Sequence, residues 1–249
     1  MADFIMANPP FNQKEWRAEN ELTNDPRWKG YDVPPKSNAN YAWILNIVSK
    51  LSDNGVAGFI LANGALSGGG EEYKIRRKLI ENNLVEAILV LPRNLFYTTD
   101  ISVTLWILNK NKKEHNRTIG DEKRQYRNRE KEILFMDLRQ VGEPFEKKYT
   151  QFSNDDIKKV TSTYHLWQST VIENIPEFCY SASIEEVTKK DFSLVPSKYV
   201  EFINLDENVD FDEKMQKLQI EFTDLLKAEE DSKNDLLTVF KELGYEIKL

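Results

Sequence analysis

The sequence of 249 residues predicts an α/β protein in which helices flank a mixed β-sheet. Three observations support this fold class. Short apolar runs, which are typical of buried strands, lie at residues 4–7, 56–62, 85–91 and 103–108. Amphipathic stretches that fit helices separate the first three runs. The segment between the last two runs is too short for a crossover helix, so those two strands are expected to pair antiparallel.

The first run is interpreted as a short buried strand that ends abruptly in Asn8-Pro9-Pro10-Phe11. Neither proline has a backbone N–H, and each fixes its own φ and keeps the preceding residue extended. We therefore expect a rigid turn that presents the Asn8 amide, the Pro9 carbonyl oxygen and the Phe11 ring. Two acceptors beside a flat apolar face suit a planar ring with an exocyclic amine, because they stabilise the positive charge that develops on an attacking nitrogen. The alternative is that the motif only turns the chain after the strand.

The following elements are predicted from periodicity and composition. Residues 13–39 are polar and rich in Pro and Asn, so they are expected to form a long loop anchored by Trp16 and Trp28. Asn40 is the expected N-cap of a helix. Its apolar stripe comprises Ile44, Ile47, Val48 and Leu51. A second helix, with a basic outer face, is expected near residues 71–82. Its inward residues are Ile75, Leu79 and Ile80.

Charge is distributed unevenly along the chain, whose formal net charge is −7. Residues 201–249 contain 14 acidic and 6 basic side chains, whereas residues 110–131 contain 9 Lys or Arg and 4 Asp or Glu. The basic segment lies before an expected strand at Ile133–Asp137 and is most simply a solvated, mobile loop. The alternative is contact with nucleic-acid phosphates.

The acidic tail carries apolar residues three and four positions apart, which predicts one long amphipathic helix or two helices in a hairpin, ending near Gly244. These apolar residues are Met215, Leu218, Phe222, Leu225, Leu236, Val239, Phe240 and Leu243. The helical surface packs either on the chain's own core or on a partner protein.

Composition argues against several classes of protein. The single cysteine, Cys179, allows no internal disulfide and fits a reducing cytoplasm. Cys179, His115 and His165 are too scattered in the sequence to suggest a metal site. No apolar run approaches the roughly 20 residues that span a membrane, and the start of the chain lacks the basic region of a signal peptide. We therefore expect a cytoplasmic protein without a membrane association.

With its flanks, the Asn8-Pro9-Pro10-Phe11 motif resembles the catalytic motif of amino-methylating DNA methyltransferases, in its adenine-type form. The resemblance extends over about residues 2–200, and as a whole it is to the modification (M) subunit of type I restriction-modification systems. The segments that carry it, beyond the motif, are Arg27-Trp28-x-Gly30, Pro34-Pro35, Asn40-Tyr41-Ala42-Trp43, residues 55–64, Gly68-Gly69-Gly70-Glu71, residues 75–81, residues 85–88 and residues 91–97.

This resemblance implies the second half of a class I S-adenosylmethionine-dependent methyltransferase sheet, with an antiparallel edge strand, followed by a C-terminal helical tail. Residues 1–200 would form the partial catalytic domain and residues 201–249 a partner-binding tail. In the family, the half that binds S-adenosylmethionine precedes the motif, whereas only seven residues precede Asn8 here. No cofactor-binding residue is therefore assigned. Gly68-Gly69-Gly70 lacks the G-x-G-x-x-G spacing and is interpreted as a flexible loop near the site.

The resemblance also implies roles for individual residues. Asn8 and Pro9, followed by Pro10, would hold and activate the adenine amine, while Phe11 stacks on a base flipped out of the duplex. Phe96, or failing that Tyr97, would contact the other face of the base. The alternative for Phe96 is that it only closes the edge of the sheet. Apart from the resemblance, the basic face of the second helix, with Lys74, Arg76, Arg77 and Lys78, is either solvated or in contact with DNA phosphates. Its position near the predicted site favours DNA contact for Arg76 and Arg77.

The implied partners are DNA, the specificity and restriction subunits of the same system, and the missing amino-terminal part of the methyltransferase. Two other functions stay open. One is methylation of another planar amine or amide nitrogen, in RNA or on a protein glutamine. The other is a non-catalytic module that binds a specificity subunit.

Overall fold

The structure, a computed structural model, describes residues 1–97, 100–203 and 211–245. The chain divides into two compact units, residues 1–202 and residues 203–249. The strands are β1 (Ala2–Ala7), β2 (Leu51–Ala62), β3 (Val85–Val90), β4 (Val103–Asn109), β5 (His115–Ile119), β6 (Glu122–Tyr126), β7 (Glu132–Asp137), β8 (Glu143–Phe145), β9 (Tyr149–Gln151) and β10 (Cys179–Ser183). The helices are α1 (Asn40–Lys50), α2 (Gly70–Glu81), α3 (Asn154–Ser169), α4 (Ile184–Lys189) and α5 (Phe211–Glu242).

A mixed sheet with the strand order β1-β2-β4-β3-β7-β10 organises the first unit. Strand β1 runs parallel to β2, and β3 runs parallel to β7. Strand β4 is antiparallel to both of its neighbours, with Ala62 opposite Val103 and Val90 opposite Thr104. The carboxyl ends of β1, β2, β3 and β7 and the amino end of β4 therefore meet at one edge of the sheet, called here the carboxyl edge.

The expected strands and the antiparallel pairing of β3 with β4 are confirmed. The resemblance placed this reversed pair at the edge of the sheet, but it lies inside, because β7 and β10 extend the sheet beyond β3. The antiparallel strand at that edge is β10, which pairs with β7.

Two hydrophobic clusters cover the sheet, one on each face. The first contains residues of α1, α2 and the segment 192–200, and at its centre the Trp106 ring stacks on Phe59 at 6.0 Å. The second includes Trp167 of α3, which is fully buried. These faces explain the amphipathic patterns of α1 and α2, because each helix turns its apolar stripe toward the sheet.

Strand β1 packs against the core on one face only and has no buried residue, so the expectation of a buried strand is wrong. Ile5 and Ala7 pack against the first cluster. On the other face Phe4 is 59% exposed and Met6 is 92% exposed. The physical reason is position, because among the described residues β1 pairs with β2 alone and no helix covers its second face.

The basic segment 110–131 is not an irregular loop as expected, although most of its hairpin residues are exposed, as expected for a solvated segment. It forms the hairpin β5–β6, and it buries Lys112 and Arg129. The Lys112 ammonium donates to the Val85 carbonyl at 2.9 Å, and Arg129 lies 3.6 Å from the buried Glu86 carboxylate. Strand β4 begins with Val103 at the carboxyl edge and ends with Asn109 at the opposite edge of the sheet. The hairpin comes after Asn109, so it starts at the edge farthest from Asn8.

The second unit is described for residues 203 and 211–245, where α5 forms one continuous helix of 32 residues. No residue of α5 is buried. The remainder of the predicted tail, residues 204–210 and 246–249, lies outside the described residues. Among the helices that the structure describes, none is long and apolar enough to cross a membrane.

Candidate functional site

The Asn8-Pro9-Pro10-Phe11 motif lies at the carboxyl edge, immediately after β1. The ladder with β2 continues to the pair Ala7–Phe59, so Asn8 is the first residue beyond it. Asn8 is exposed, Pro9 is buried and Phe11 is half-buried against the second hydrophobic cluster. The motif therefore presents a polar amide to solvent and directs an aromatic ring to one face of the sheet.

The loop from β3 to β4 lies at the same edge. At its base, the Leu91 N–H donates to the Val103 carbonyl at 2.9 Å, and the Ser102 hydroxyl donates to the Leu91 carbonyl. Phe96 is half-buried and packs against the same hydrophobic cluster as Phe11. Tyr97 is 71% exposed. The structure thus brings Phe11 and Phe96 to one face of the sheet, while Tyr97 extends into solvent.

A feature that the sequence did not reveal supports this loop. The Thr150 N–H, in the β8–β9 hairpin, donates to the Asn94 carbonyl at 3.0 Å, and the Tyr149 ring lies 4.7 Å from the Tyr97 ring. A cavity of about 400 Å³ opens beside these contacts, lined by residues 92–94, 139–144 and Thr150. The hairpin therefore contributes to the surface next to the candidate site.

Asn12, directly after the motif, is bound to the start of α1. Its N–H donates to Asn40 Oδ1 at 3.0 Å, and Asn40 Nδ2 donates to Asn12 Oδ1 at 2.9 Å. The expectation that Asn40 is the N-cap of α1 is therefore wrong. The N-cap position belongs to Ala39, which makes no side-chain cap. The Asn40 side chain instead makes a long-range contact, for which the local sequence offers no signal.

Arg76 does not face DNA, and this part of the prediction is wrong. Its side chain is fully buried, and its guanidinium donates to the Phe192 carbonyl at 2.8 Å and to the Gly68 carbonyl at 2.7 Å. The adjacent Tyr41 hydroxyl donates to the Ala65 carbonyl at 2.6 Å, and burial raises the pKa of Tyr41. Arg76 therefore ties α2 to the segment after β2 and to the segment around Phe192.

Arg77 is exposed and pairs with Glu81 at 2.7 Å along α2. It lies about two turns from the start of this helix, which begins near the carboxyl edge. The structure does not bring Arg77 to the Asn8 motif. Its contact with DNA phosphates stays a prediction.

In the glycine-rich turn before α2, Gly68 is packed, whereas Gly69 and Gly70 border open space. A Cβ at Gly68 would lie 2.0 Å from Glu72 Oε2, and Arg76 binds the Gly68 carbonyl. Burial raises the pKa of Glu72. These contacts pack the turn at Gly68, while Gly69 and Gly70 are exposed, and the flexible loop near the site stays a prediction. Within residues 1–97, 100–203 and 211–245, no group of His, Cys, Asp and Glu side chains could hold a metal ion.

Comparison with known proteins decides the family. The sequence model for the family described as N-6 DNA Methylase matches residues 1–208. The chain belongs to the N-6 DNA methylase family. The Asn8 motif and the aromatic residues around it are therefore to be compared with those of other members of this family.

Curated relatives of the chain include methylase subunits of type I restriction enzymes. The HindI subunit of Haemophilus influenzae is 41% identical over 251 residues, which cover 98% of this chain and 52% of that protein. The MjaIX subunit of Methanocaldococcus jannaschii is 33% identical over 250 residues, covering 98% of this chain and 42% of that protein. The chain spans about half the length of the curated relatives it matches.

Solved structures agree. The methyltransferase subunit of the type I restriction-modification system from Streptococcus thermophilus superposes with a TM-score of 0.67 at 30% identity, covering 81% of this chain and 38% of that one. The EcoKI M protein gives a TM-score of 0.56 at 20% identity and covers 90% of this chain and 48% of its own, a likeness of fold alone. The predicted fold class and the resemblance to type I modification subunits are confirmed.

Proposed function

We propose that this N-6 DNA methylase chain is the carboxyl-terminal half of a subunit that methylates the exocyclic amine of adenine in DNA, within a type I restriction-modification system. The observation that carries the proposal is the exposed Asn8 amide at the carboxyl edge, with Phe11 and Phe96 on one face of the sheet beside it. The family match and the names of the relatives support the same function.

The chemistry assigned to the motif follows from hydrogen bonding. The lone pair of an aromatic amine is delocalised into the ring, which makes the nitrogen a poor nucleophile. The Asn8 side-chain oxygen and the Pro9 carbonyl oxygen would each accept one N–H of adenine and stabilise the positive charge that develops on the attacking nitrogen. Stabilisation by these two oxygens does not require a base to remove a proton from the amine before it attacks. The neutral Asn8 amide is therefore sufficient for this role.

Stacking completes the assigned site. Flipping a base out of the duplex costs a few kcal/mol, and aromatic stacking recovers part of this cost. Phe11 would contact one face of adenine and Phe96 the other, with Tyr97 at the exposed rim. S-adenosylmethionine would supply the electrophilic methyl group, bound mainly by residues outside this chain.

We propose that the cofactor-binding half adjoins β1. The outer edge of β1 pairs with no strand among the described residues, and unpaired strand edges bind further strands readily. The exposed Phe4 and Met6 side chains form an apolar surface on the same strand that no described helix covers, with the Arg117 guanidinium over the Phe4 ring. A further strand with a covering helix would bury both features.

The remaining partners are proposed from the helix α5. Its apolar residues, including Leu218, Phe222 and Leu225, lie exposed at helical spacing. The family resemblance favours packing of this helix on the specificity subunit, which selects the DNA sequence, with the restriction subunit joining the same assembly. A cytoplasmic location would follow, since the DNA substrate lies there.

The test is a comparison of acceptors. The chain, combined with an amino-terminal methyltransferase half and a specificity subunit, is incubated with labelled S-adenosylmethionine and DNA, RNA or protein. N6-methyladenine in DNA is the expected product. Methyl groups on RNA or glutamine would replace the proposed substrate, and assembly without transfer to any acceptor would identify a non-catalytic module.

A further inference from the structure

We propose that Asn12 and Asn40 are positioning residues, which clamp the carboxyl end of the Asn8-Pro9-Pro10-Phe11 motif to helix α1 through their side-chain amides. This inference rests on the proposed function, because the motif it positions is the one assigned to the adenine amine. Neither asparagine is assigned any contact with substrate. Their role is to fix the direction in which Asn8 and Phe11 point.

The clamp consists of a closed set of hydrogen bonds. Asn12 and Asn40 exchange two of them, from Asn12 N–H to Asn40 Oδ1 at 3.0 Å and from Asn40 Nδ2 to Asn12 Oδ1 at 2.9 Å. Asn38 Nδ2 donates to the same Asn12 oxygen at 3.2 Å, and Asn38 Oδ1 accepts the Asn40 N–H at 2.9 Å. The Ala39 N–H donates to the Gln13 carbonyl at 2.9 Å. The residue after the motif is therefore bound through both its backbone and its side chain.

The anchor side of the clamp is rigid. Asn40 is 1% exposed, and the next turn of α1 places Tyr41, Ile44 and Leu45 in the core with no exposed surface. Removing an amide partner from such a site leaves a buried polar group unsatisfied. The amide pair, in which Asn40 is buried and Asn12 is exposed, also sets direction, which an apolar contact at the same place would not do.

The backbone at Asn12 points to the same role. Its φ is 51°, in the left-handed region that few residues other than Gly, Asn and Asp adopt readily. The motif is thus fixed at one end by the β1–β2 ladder, which reaches Ala7, and at the other end by Asn12. Pro9 and Pro10 stiffen the stretch between these two points.

The proposal predicts a loss in turnover without a matching loss in DNA binding. Displacement of a catalytic group by about 1 Å can cost about 100-fold in rate. Asn12 and Asn40 are assigned no contact with DNA, so binding of DNA should change less than turnover. The relevant readouts are therefore kcat and KM for DNA measured separately.

Three variants separate side-chain chemistry from backbone conformation. Asn12→Gly keeps the left-handed φ but removes the acceptor, and Asn40→Ala removes the partner. Asn12→Asp keeps acceptors for both Asn38 Nδ2 and Asn40 Nδ2. The matched control is Asn83→Gly, because Asn83 has a φ of 59° and accepts a backbone N–H from Lys131 at 2.9 Å. Asn83 precedes β3 and so lies at the opposite edge of the sheet.

Each variant is tested in the complete methyltransferase. We expect Asn12→Gly and Asn40→Ala to lower kcat by at least about 30-fold with KM for DNA changed less than about 3-fold. Asn12→Asp and Asn83→Gly should stay within about 3-fold of the original kcat. The proposal is overturned if Asn12→Gly keeps the original kcat, or if Asn12→Asp loses as much as Asn12→Gly.

Hydrogen exchange decides the clamp independently of activity. In the purified chain, Asn40→Ala should speed exchange at the Asn12 amide, whose N–H donates to Asn40 Oδ1, while Asn83→Gly should not. Unchanged exchange there would overturn the clamp, whatever the activity. A complete enzyme with the native clamp that fails to methylate adenine would instead overturn the proposed function.

Discussion

At the scale of single residues, Asn8 carries the assigned chemistry and can be tested without disturbing the fold. Its side chain is exposed, so Asn8→Ala removes one acceptor for the adenine amine and leaves the core intact. We expect most methylation to be lost, with DNA affinity nearly unchanged, when the reconstituted enzyme is assayed. Activity within about tenfold of the original, which corresponds to about 1.4 kcal/mol of barrier, would remove Asn8 from the mechanism.

Phe96 allows a second test at this scale, because it has a structural and a functional interpretation. Its half-buried ring packs on the second hydrophobic cluster, whereas Tyr97 is 71% exposed. If Phe96 stacks on adenine, Phe96→Ala should change the fluorescence of 2-aminopurine at the target position, because that signal depends on both the flipping of the base and its stacking. Tyr97→Ala should affect this signal less. A lowered melting temperature with unchanged fluorescence would mean that Phe96 only closes the sheet edge.

At the scale of elements, the buried charges around the start of β3 make stability depend on pH. Burial of the Lys112 ammonium lowers its pKa from the ordinary 10.5 to about 8. Above pH 8 the folded chain releases this proton, whereas the unfolded chain retains it up to about pH 10.5, so the unfolded state binds more protons. Lys112 therefore makes the free energy of unfolding rise with pH in this window.

The measurement compares the chain with its Lys112→Met variant by urea unfolding at pH 8 and pH 10. The original chain should gain about 2 kcal/mol relative to the variant over this interval, since one proton contributes about 1.4 kcal/mol per pH unit. Burial raises the pKa of Cys179, which acts in the opposite direction. That contribution is common to both proteins and cancels in the difference. Equal slopes would show that Lys112 keeps its ordinary pKa.

Elements with strong periodicity were predictable, and those held by tertiary contacts were not. The apolar runs identified β1, β2, β3, β4 and β7. Hairpin β5–β6 was not predicted because its residues are polar, and it makes tertiary contacts such as the Arg117 guanidinium over the Phe4 ring at 4.6 Å. Helix α3 had a local signal, the capping box between Ser153 and Asp156. The failure to predict α3 was therefore avoidable.

At the scale of the whole molecule, chain topology made part of the site predictable. Parallel strands bring their carboxyl ends to one edge, so the Asn8 motif and the loop around Phe96 could be placed together from the sequence. The clamp from Asn12 to Asn40 could not, because its partners are 28 residues apart across an irregular loop. Arg76 could not be predicted for the same reason. Its positive charge is typical of a surface residue, but its hydrogen-bond partners, which are distant in the sequence, place it in the core.

The exposed face of β1 predicts how this chain assembles with the cofactor-binding half. Met6 is 92% exposed, and on the proposed function it becomes buried when the cofactor-binding half adjoins β1. Met6→Glu should therefore leave the thermal unfolding of this chain unchanged but weaken its binding to an amino-terminal half at least about tenfold, since a buried unpaired carboxylate is costly. Val171→Glu is the matched control, because Val171 is an apolar residue that is 84% exposed and follows α3.

Calorimetry provides both readouts for this assembly. S-adenosylmethionine should give no heat with the isolated chain and a clear binding signal after the amino-terminal half is added, and Met6→Glu should abolish that signal at concentrations where Val171→Glu preserves it. Binding by the isolated chain would place the cofactor site within these residues and direct attention back to the turn at Gly68. Equal assembly by both variants would show that the interface does not include this face of β1. A contact surface that becomes buried on assembly would not accept the charge of Met6→Glu without loss of binding.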